Sequence, residues 1–182
     1  KLGAFGPAAA ISVDPREEEN LRSMAILSLA RSTDPVHRGV LGKLAAEKGG
    51  VGFTPRRSAL LALGVSPSDA ELAVLKDQAK DVNAPVRASA VLAVGISGKD
   101  RGLVLAHADA KTERDSMVRA YAILALGIHP DPALARTLAA IVEKDTDESV
   151  RGAAAIALGR VGGKEAVDAL SALMRNRNYQ VL

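Results

Sequence analysis

The chain has 182 residues, of which 48% are hydrophobic, and a formal charge of +3 from 24 Lys and Arg against 21 Asp and Glu. So small an excess of positive charge does not indicate a nucleic-acid partner. The absence of cysteine excludes disulfides, thiolate catalysis and cysteine-based metal sites. With no Trp and only 2% aromatic residues, the composition favours closely packed helices over a β-sandwich.

The first part of the chain predicts one helical hairpin after an aperiodic start over residues 1–13. Asp14-Pro15 places a capping side chain before a proline, which predicts the start of a helix carrying Leu21-Arg22-x-x-Ala25. Asp34-Pro35 predicts the start of a second helix in the same way. The glycine-rich stretch 49–55 predicts a looser junction before the next hairpin.

The second hairpin begins with Arg56-x-x-Ala59, and Ser68-x-x-Glu71 is a capping-box pattern for its second helix. Three clearer copies of the first-helix string follow: Val86-Arg87-x-x-Ala90, Val118-Arg119-x-x-Ala122 and Val150-Arg151-x-x-Ala154. Asn83, Asp115 and Asp147 precede these strings as predicted N-caps. A glycine stands eight residues after most of these arginines, and we expect it to adopt the left-handed conformation that ends the helix: Gly64, Gly95, Gly127 and Gly159.

The arginines of the string recur with a period of 31 to 34 residues, which is typical of helical repeats. The sequence predicts an all-α fold, an α-α superhelix (solenoid) of about five helical hairpins that form one domain over residues 1–182. The predicted repeats are approximately 14–50, 51–81, 82–112, 113–145 and 146–176, and a further one starts at 177–182. We expect the chain to be part of a longer array.

The best-defined repeat, Asp147-x-x-Val150-Arg151-x-x-Ala154-Ala155-x-Ala157-Leu158-Gly159-x-x-Gly162, resembles the HEAT-like repeats of the phycobilisome-lyase type. The resemblance covers about residues 15–182 and implies an armadillo-like helical fold. It also implies that the helices with the Val-Arg string line a concave face, where the residues one and two places after the arginine would meet a partner. The candidate partner-binding residues are Met24, Arg57, Ser58, Ser89 and Tyr121.

The repeated arginines form a ladder that allows two interpretations. They could bind phosphates or carboxylates, or they could pair with the Asp or Asn of their own or an adjacent turn, and we favour the structural role. The members of the ladder are Arg22, Arg56, Arg87, Arg119 and Arg151.

No residue pattern indicates an enzyme, and the prediction is a non-catalytic protein-binding scaffold with no cofactor and no metal. The three histidines are far apart in sequence and occur in no metal-binding motif, and the serines lack a nucleophile elbow. The repeat type leaves open a bilin lyase-like chromophore-handling factor and a protein similar to the HEAT-like DNA glycosylases. The absence of Trp and of a strongly basic groove disfavours the DNA-binding alternative. Self-association through the ends of the array, where Met174 lies, is a further expectation.

Overall fold

The computed structural model describes residues 5–47 and 53–175, and all regular secondary structure in these ranges is helical. The predicted all-α repeat fold is confirmed, because successive helices pack against one another as hairpins. The α-helices are α1 (Gly6–Val13), α2 (Glu19–Ser28), α3 (Pro35–Ala46), α4 (Phe53–Gly64), α5 (Asp69–Gln78), α6 (Ala84–Ser97), α7 (Arg101–Ala108), α8 (Ser116–Leu126), α9 (Ala135–Lys144), α10 (Glu148–Val161) and α11 (Gly163–Arg175). Short 3-10 helices occupy Leu29–Arg31 and Pro132–Leu134. The predicted further repeat at 177–182 lies outside the described residues.

The helices fall into two compact halves, Lys1–Lys99 and Asp100–Leu182. In the N-terminal half, α2, α4 and α6 carry the Val-Arg string or its variants and pack side by side, with α3 and α5 on their flank. In the C-terminal half, α8 and α10 pack together in the same manner, flanked by α7, α9 and α11. We call α2, α4, α6, α8 and α10 the V–R helices, and α1, α3, α5, α7, α9 and α11 the flanking helices. The assignment of residues 1–182 to one domain stays a prediction.

Small and branched apolar side chains of the V–R helices form most of the core. The largest fully buried side chains of the N-terminal half include Ile26, Leu60 and Leu63, and those of the C-terminal half include Ile123 and Leu158. Buried alanines fill the spaces between these side chains, so the V–R helices approach closely.

Four of the predicted helix starts have the expected caps. The side chains of Asp34, Ser68, Asp115 and Asp147 accept hydrogen bonds from first-turn backbone amides, and Ser68 forms a complete capping box with Glu71. Asn83 precedes α6 but makes no side-chain cap bond.

The predicted start of the first helix at Asp14-Pro15 is wrong. The carboxylate of Asp14 instead accepts hydrogen bonds from the backbone amide and the guanidinium of Arg16, which holds a turn. The helix with Arg22 begins only at Glu19. The aperiodic start of the chain contains a helix, α1, that packs against α2.

The expected left-handed role of the repeated glycines is also wrong. Among the described glycines, positive φ angles occur only at Gly98, Gly162 and Gly163. The repeated glycines lie inside helices or at their last turn, and two of them allow a close approach between V–R helices. A Cβ on Gly64 would lie 2.6 Å from the carbonyl oxygen of Ala93, and one on Gly127 would lie 3.1 Å from Cα of Ala157.

We predict that Gly64→Ala lowers stability by about 1–3 kcal/mol, because the added methyl group meets backbone atoms of α6 that cannot move aside. Gly159→Ala is the matched control, since a Cβ there has no atom within 4 Å and alanine favours the helix by up to about 1 kcal/mol. Thermal unfolding of the two variants checks this. Equal melting temperatures for both would contradict the close approach of α4 and α6.

Candidate partner-binding face

The arginine ladder is directed into the protein, and its best-defined member is Arg119 at the start of α8. Nε and Nη2 of Arg119 donate to the two carboxylate oxygens of Asp145 at 3.1 and 3.0 Å. Nη1 donates to the backbone carbonyls of Glu113 and Arg114 at 3.2 and 2.9 Å. Both side chains of the pair are nearly buried, with 6% and 7% of their surface exposed. A guanidinium held in this way is not available to a phosphate on a partner.

Arg56 of α4 makes an equivalent set of contacts in the N-terminal half. Nη2 donates to the carboxylate of Asp81 at 2.6 Å and to the side-chain carbonyl of Gln78, while Nε donates to the carbonyl of Ala45 at 3.3 Å. This single side chain therefore connects α3, α4 and the end of α5. Arg22 is buried as well and donates to the carbonyl of Ser12, which ties α2 to α1.

Asp81 and Asp145 each accept hydrogen bonds from two successive arginines of the ladder. The backbone carbonyl of Asp81 accepts from Arg87 at 2.7 Å, and that of Asp145 accepts from Arg151 at 3.1 Å. Asp81 thus joins α4 to α6 through its carboxylate and its carbonyl, and Asp145 joins α8 to α10. The same carboxylates also accept the backbone amide two residues later, at 2.8 and 2.9 Å, which fixes the turn before the V–R helix.

These acidic residues were not among the predicted site residues, although their spacing from the arginine is visible in the sequence. An acidic residue stands six positions before the arginine in three successive repeats, as Asp81, Glu113 and Asp145. We call them the junction acids. Glu113 also accepts the amide two residues later, from Asp115 at 3.0 Å, and is 6% exposed.

The five candidate partner-binding residues occupy different environments. Met24 is 69% exposed, and Arg57 and Tyr121 are half-buried. Ser58 and Ser89 are buried, and the hydroxyl of Ser89 accepts from Nε of Arg57 at 3.0 Å and donates to the carbonyl of Pro85. Ser89 therefore lies at the contact between α4 and α6. The serine hydroxyls are not offered to a partner at the surface.

A different position of the repeat carries large apolar side chains to the surface. The residue five places after each arginine is aliphatic in all five repeats, and it is exposed or half-buried in each: Leu27, Leu61, Leu92, Leu124 and Ile156. Leu27 is 45% exposed and Ile156 is 53% exposed. Because residues three apart share one side of a helix, Met24 lies beside Leu27 and Tyr121 lies beside Leu124. In each half of the chain we call these residues the aliphatic face: Met24, Leu27, Leu61 and Leu92 on the V–R helices of the N-terminal half, and Tyr121, Leu124 and Ile156 on those of the C-terminal half.

A family model described as HEAT repeats matches residues 104–182. Over these residues the chain consists of HEAT-like repeats. The match covers α8 to α11, where the arginine, the junction acid and the N-cap aspartate recur most regularly. Comparison with curated protein sequences gives no significant match.

The described part of the chain contains no group of three or more His, Asp and Glu side chains arranged to hold a metal ion. Its helices are all too short or too polar to cross a lipid bilayer.

We predict that Arg119→Ala lowers stability by about 3–5 kcal/mol, because the substitution leaves the buried carboxylate of Asp145 without its cation. Arg136→Ala provides the matched control. Its pair with Glu165 has a similar distance of 3.1 Å, but both side chains are largely exposed, so we expect less than about 1 kcal/mol. Urea unfolding measures both. Similar losses in the free energy of unfolding of the two variants would show that burial does not determine how much an ion pair stabilises the chain.

The N-cap of α10 predicts a pH dependence. Hydrogen bonds from the hydroxyls of Ser149 and Ser116 lower the pKa of Asp147 to about 2. Since the folded-state pKa lies below the unfolded value of about 3.9, the stabilisation is complete above that value and is lost as the pH falls towards 2. Asp147→Ala should cost about 1 kcal/mol at neutral pH. Urea unfolding from pH 7 to pH 2 should show the variant approaching the wild type in acid. A constant difference across this range would contradict the assignment.

Proposed function

We propose that the chain is a non-catalytic scaffold that binds a protein partner through the aliphatic face of its V–R helices. The observation that carries the proposal is that the residue five places after the arginine is aliphatic in every repeat. A helix position that keeps contact with solvent normally carries a polar side chain in at least some copies of a repeat. At this position Leu27 and Ile156 are exposed, and the residues of the other three repeats are half-buried. Here all five copies are Leu or Ile, although the same repeats place alanine and serine at their closest helix contacts.

The chemistry of the face favours an apolar helix or segment as the bound element. Arg57 is the one charged side chain among the candidate residues, and its Nε is already bonded to Ser89. The buried arginines of the ladder are hydrogen-bonded to junction acids and backbone carbonyls. A polyanion would need several accessible cations, whereas an amphipathic helix needs an apolar stripe with a spacing of three to four residues. HEAT repeats commonly serve as protein-interaction scaffolds, in agreement with this proposal.

Self-association through the end of the array remains part of the proposal. Val167 and Met174 of α11 are 57% and 87% exposed, so this helix presents apolar side chains in the described structure.

We predict that Met24→Glu combined with Leu27→Glu and Ile156→Glu removes the bound partner without unfolding the chain, because all three side chains are already largely exposed. The control variant carries Val36→Glu and Val82→Glu, which alter apolar residues outside the V–R helices that are at least as exposed as those of the face. Affinity capture from a lysate of the source organism, followed by titration of the purified partner, compares the three proteins.

The expected result is a partner that wild type and control retain with similar affinity and that the face variant binds at least about ten-fold more weakly. Circular dichroism and melting temperature establish that the variants are folded. Retention of the same proteins by all three chains would overturn the aliphatic face as the binding surface.

A further inference from the structure

The flanking helices of the C-terminal half leave a groove between α7 and α9. The helix α9 packs against α10 and α11, whereas α7 packs against α8. The space between α7 and α9 is an open groove of about 800 Å³. This volume is in the range of sites that enclose several apolar side chains or a small ligand.

The floor of the groove is apolar. The side chains of Leu105, Ala108, Leu126, Ala140 and Ile141 contribute to it. Leu126 and Ala108 are buried against the core, while Leu105, Ala140 and Ile141 are only half-buried. The groove therefore keeps a large part of its aliphatic surface in contact with water.

Cations surround this floor. Lys111 follows the end of α7, and Arg136 and Lys144 stand on α9. Both lysines are exposed, and neither makes an ion pair with a carboxylate of the described residues. Arg136 has an exposed pair with Glu165.

Of the two acids at the groove, Asp145 is held in a buried ion pair, whereas Asp109 is exposed and keeps its negative charge. The carboxylate of Asp145 is held by Arg119, and Oδ1 of Asp109 accepts the backbone amide of Lys111 at 2.9 Å. The buried pair with Arg119 cancels the charge of Asp145. The rim of the groove consequently has a positive balance.

The spacing of the cations on α9 fits a helix. Arg136 and Lys144 are eight residues apart, which corresponds to about 12 Å along α9. A helix of about 10 Å diameter lying along α9 would place acidic side chains separated by two turns beside these cations, and the apolar residues between them over Ala140 and Ile141. We infer that this groove is a docking site for an amphipathic helix with an apolar stripe flanked by Asp or Glu.

A nucleic acid fits the groove less well. Three cations around a largely aliphatic floor neutralise few phosphates, and Thr137 is the one uncharged polar side chain among the lining residues. The site is separate from the proposed function, because it is formed by flanking helices and leaves the aliphatic face of the V–R helices uncovered.

The test uses a fluorescein-labelled peptide of about 15 residues, long enough to form a helix, with leucines on one stripe and glutamates on both sides. A second peptide has lysine in place of every glutamate, and a short double-stranded DNA serves as the polyanion. Fluorescence anisotropy measures their binding to the wild-type chain and to two charge-reversed variants. One variant carries Lys111→Glu and Lys144→Glu. The matched control carries Lys43→Glu and Lys80→Glu, at the end of α3 and just after α5, with the same change in net charge.

We expect the glutamate peptide to bind the wild type and the control within about two-fold, and the groove variant at least about ten-fold more weakly. Ala140→Gln, which adds a polar group to the floor without changing charge, should weaken binding as well. Four results would overturn the inference: no binding of the glutamate peptide, equal binding of the lysine peptide, tighter binding of DNA, or equal losses in the groove and control variants. The aliphatic-face variant Met24→Glu, Leu27→Glu, Ile156→Glu should bind the glutamate peptide normally, so failure of this inference is distinguishable from failure of the proposed function.

Discussion

The buried guanidinium at the start of a V–R helix constrains the rest of the structure. A buried charge is costly unless an opposite charge and hydrogen-bond acceptors surround it. Arg119 meets this requirement with one carboxylate and two backbone carbonyls, and Arg56 with a carboxylate, an amide oxygen and a carbonyl. These acceptors lie on segments that are separated in sequence. The hydrogen bonds that the guanidinium makes therefore position the end of a flanking helix and the turn that starts the next V–R helix.

The junction acids extend this constraint from one repeat to the next. Asp81 and Asp145 each give a carboxylate to the preceding arginine and a carbonyl to the following one. Neighbouring V–R helices are thereby held in one register within each half of the chain. Small residues then complete the contact, as at Gly64 and Ala93. With the arginine and the small residues directed inward, the position five residues after the arginine stays partly or largely accessible to solvent, which creates the aliphatic face.

The sequence predicts the repeat, the helical hairpins and four N-caps, because these depend on local periodicity and on side chains that bond within a few residues. It predicts the face less well. Successive residues of a helix are separated by about 100°, so the boundary between buried and exposed positions depends on how closely the neighbouring helix approaches. Ser89 of α6 is buried where α4 packs against it, whereas Met24 at the equivalent position of α2 is exposed.

The role of the repeated glycines likewise depends on a neighbouring helix and not on the local sequence. Their position near the end of a helical string is also the position of a C-terminal cap, and sequence alone does not separate the two roles. Gly64 and Gly127 are required by another helix rather than by their own backbone angles. The junction acids were missed for a related reason. Their partners lie some 25 residues away in sequence, and only the common offset of six from the arginine reveals them.

We conclude that a buried arginine and a junction acid couple the segments of adjacent repeats. A double-mutant cycle of Arg56→Ala and Asp81→Ala, measured by urea unfolding, tests it most directly. The pair is nearly buried, with 11% and 9% of the two side chains exposed. We expect a coupling energy of at least about 1 kcal/mol between the two substitutions. Additive losses would contradict it, because they would show that the two side chains stabilise the chain independently.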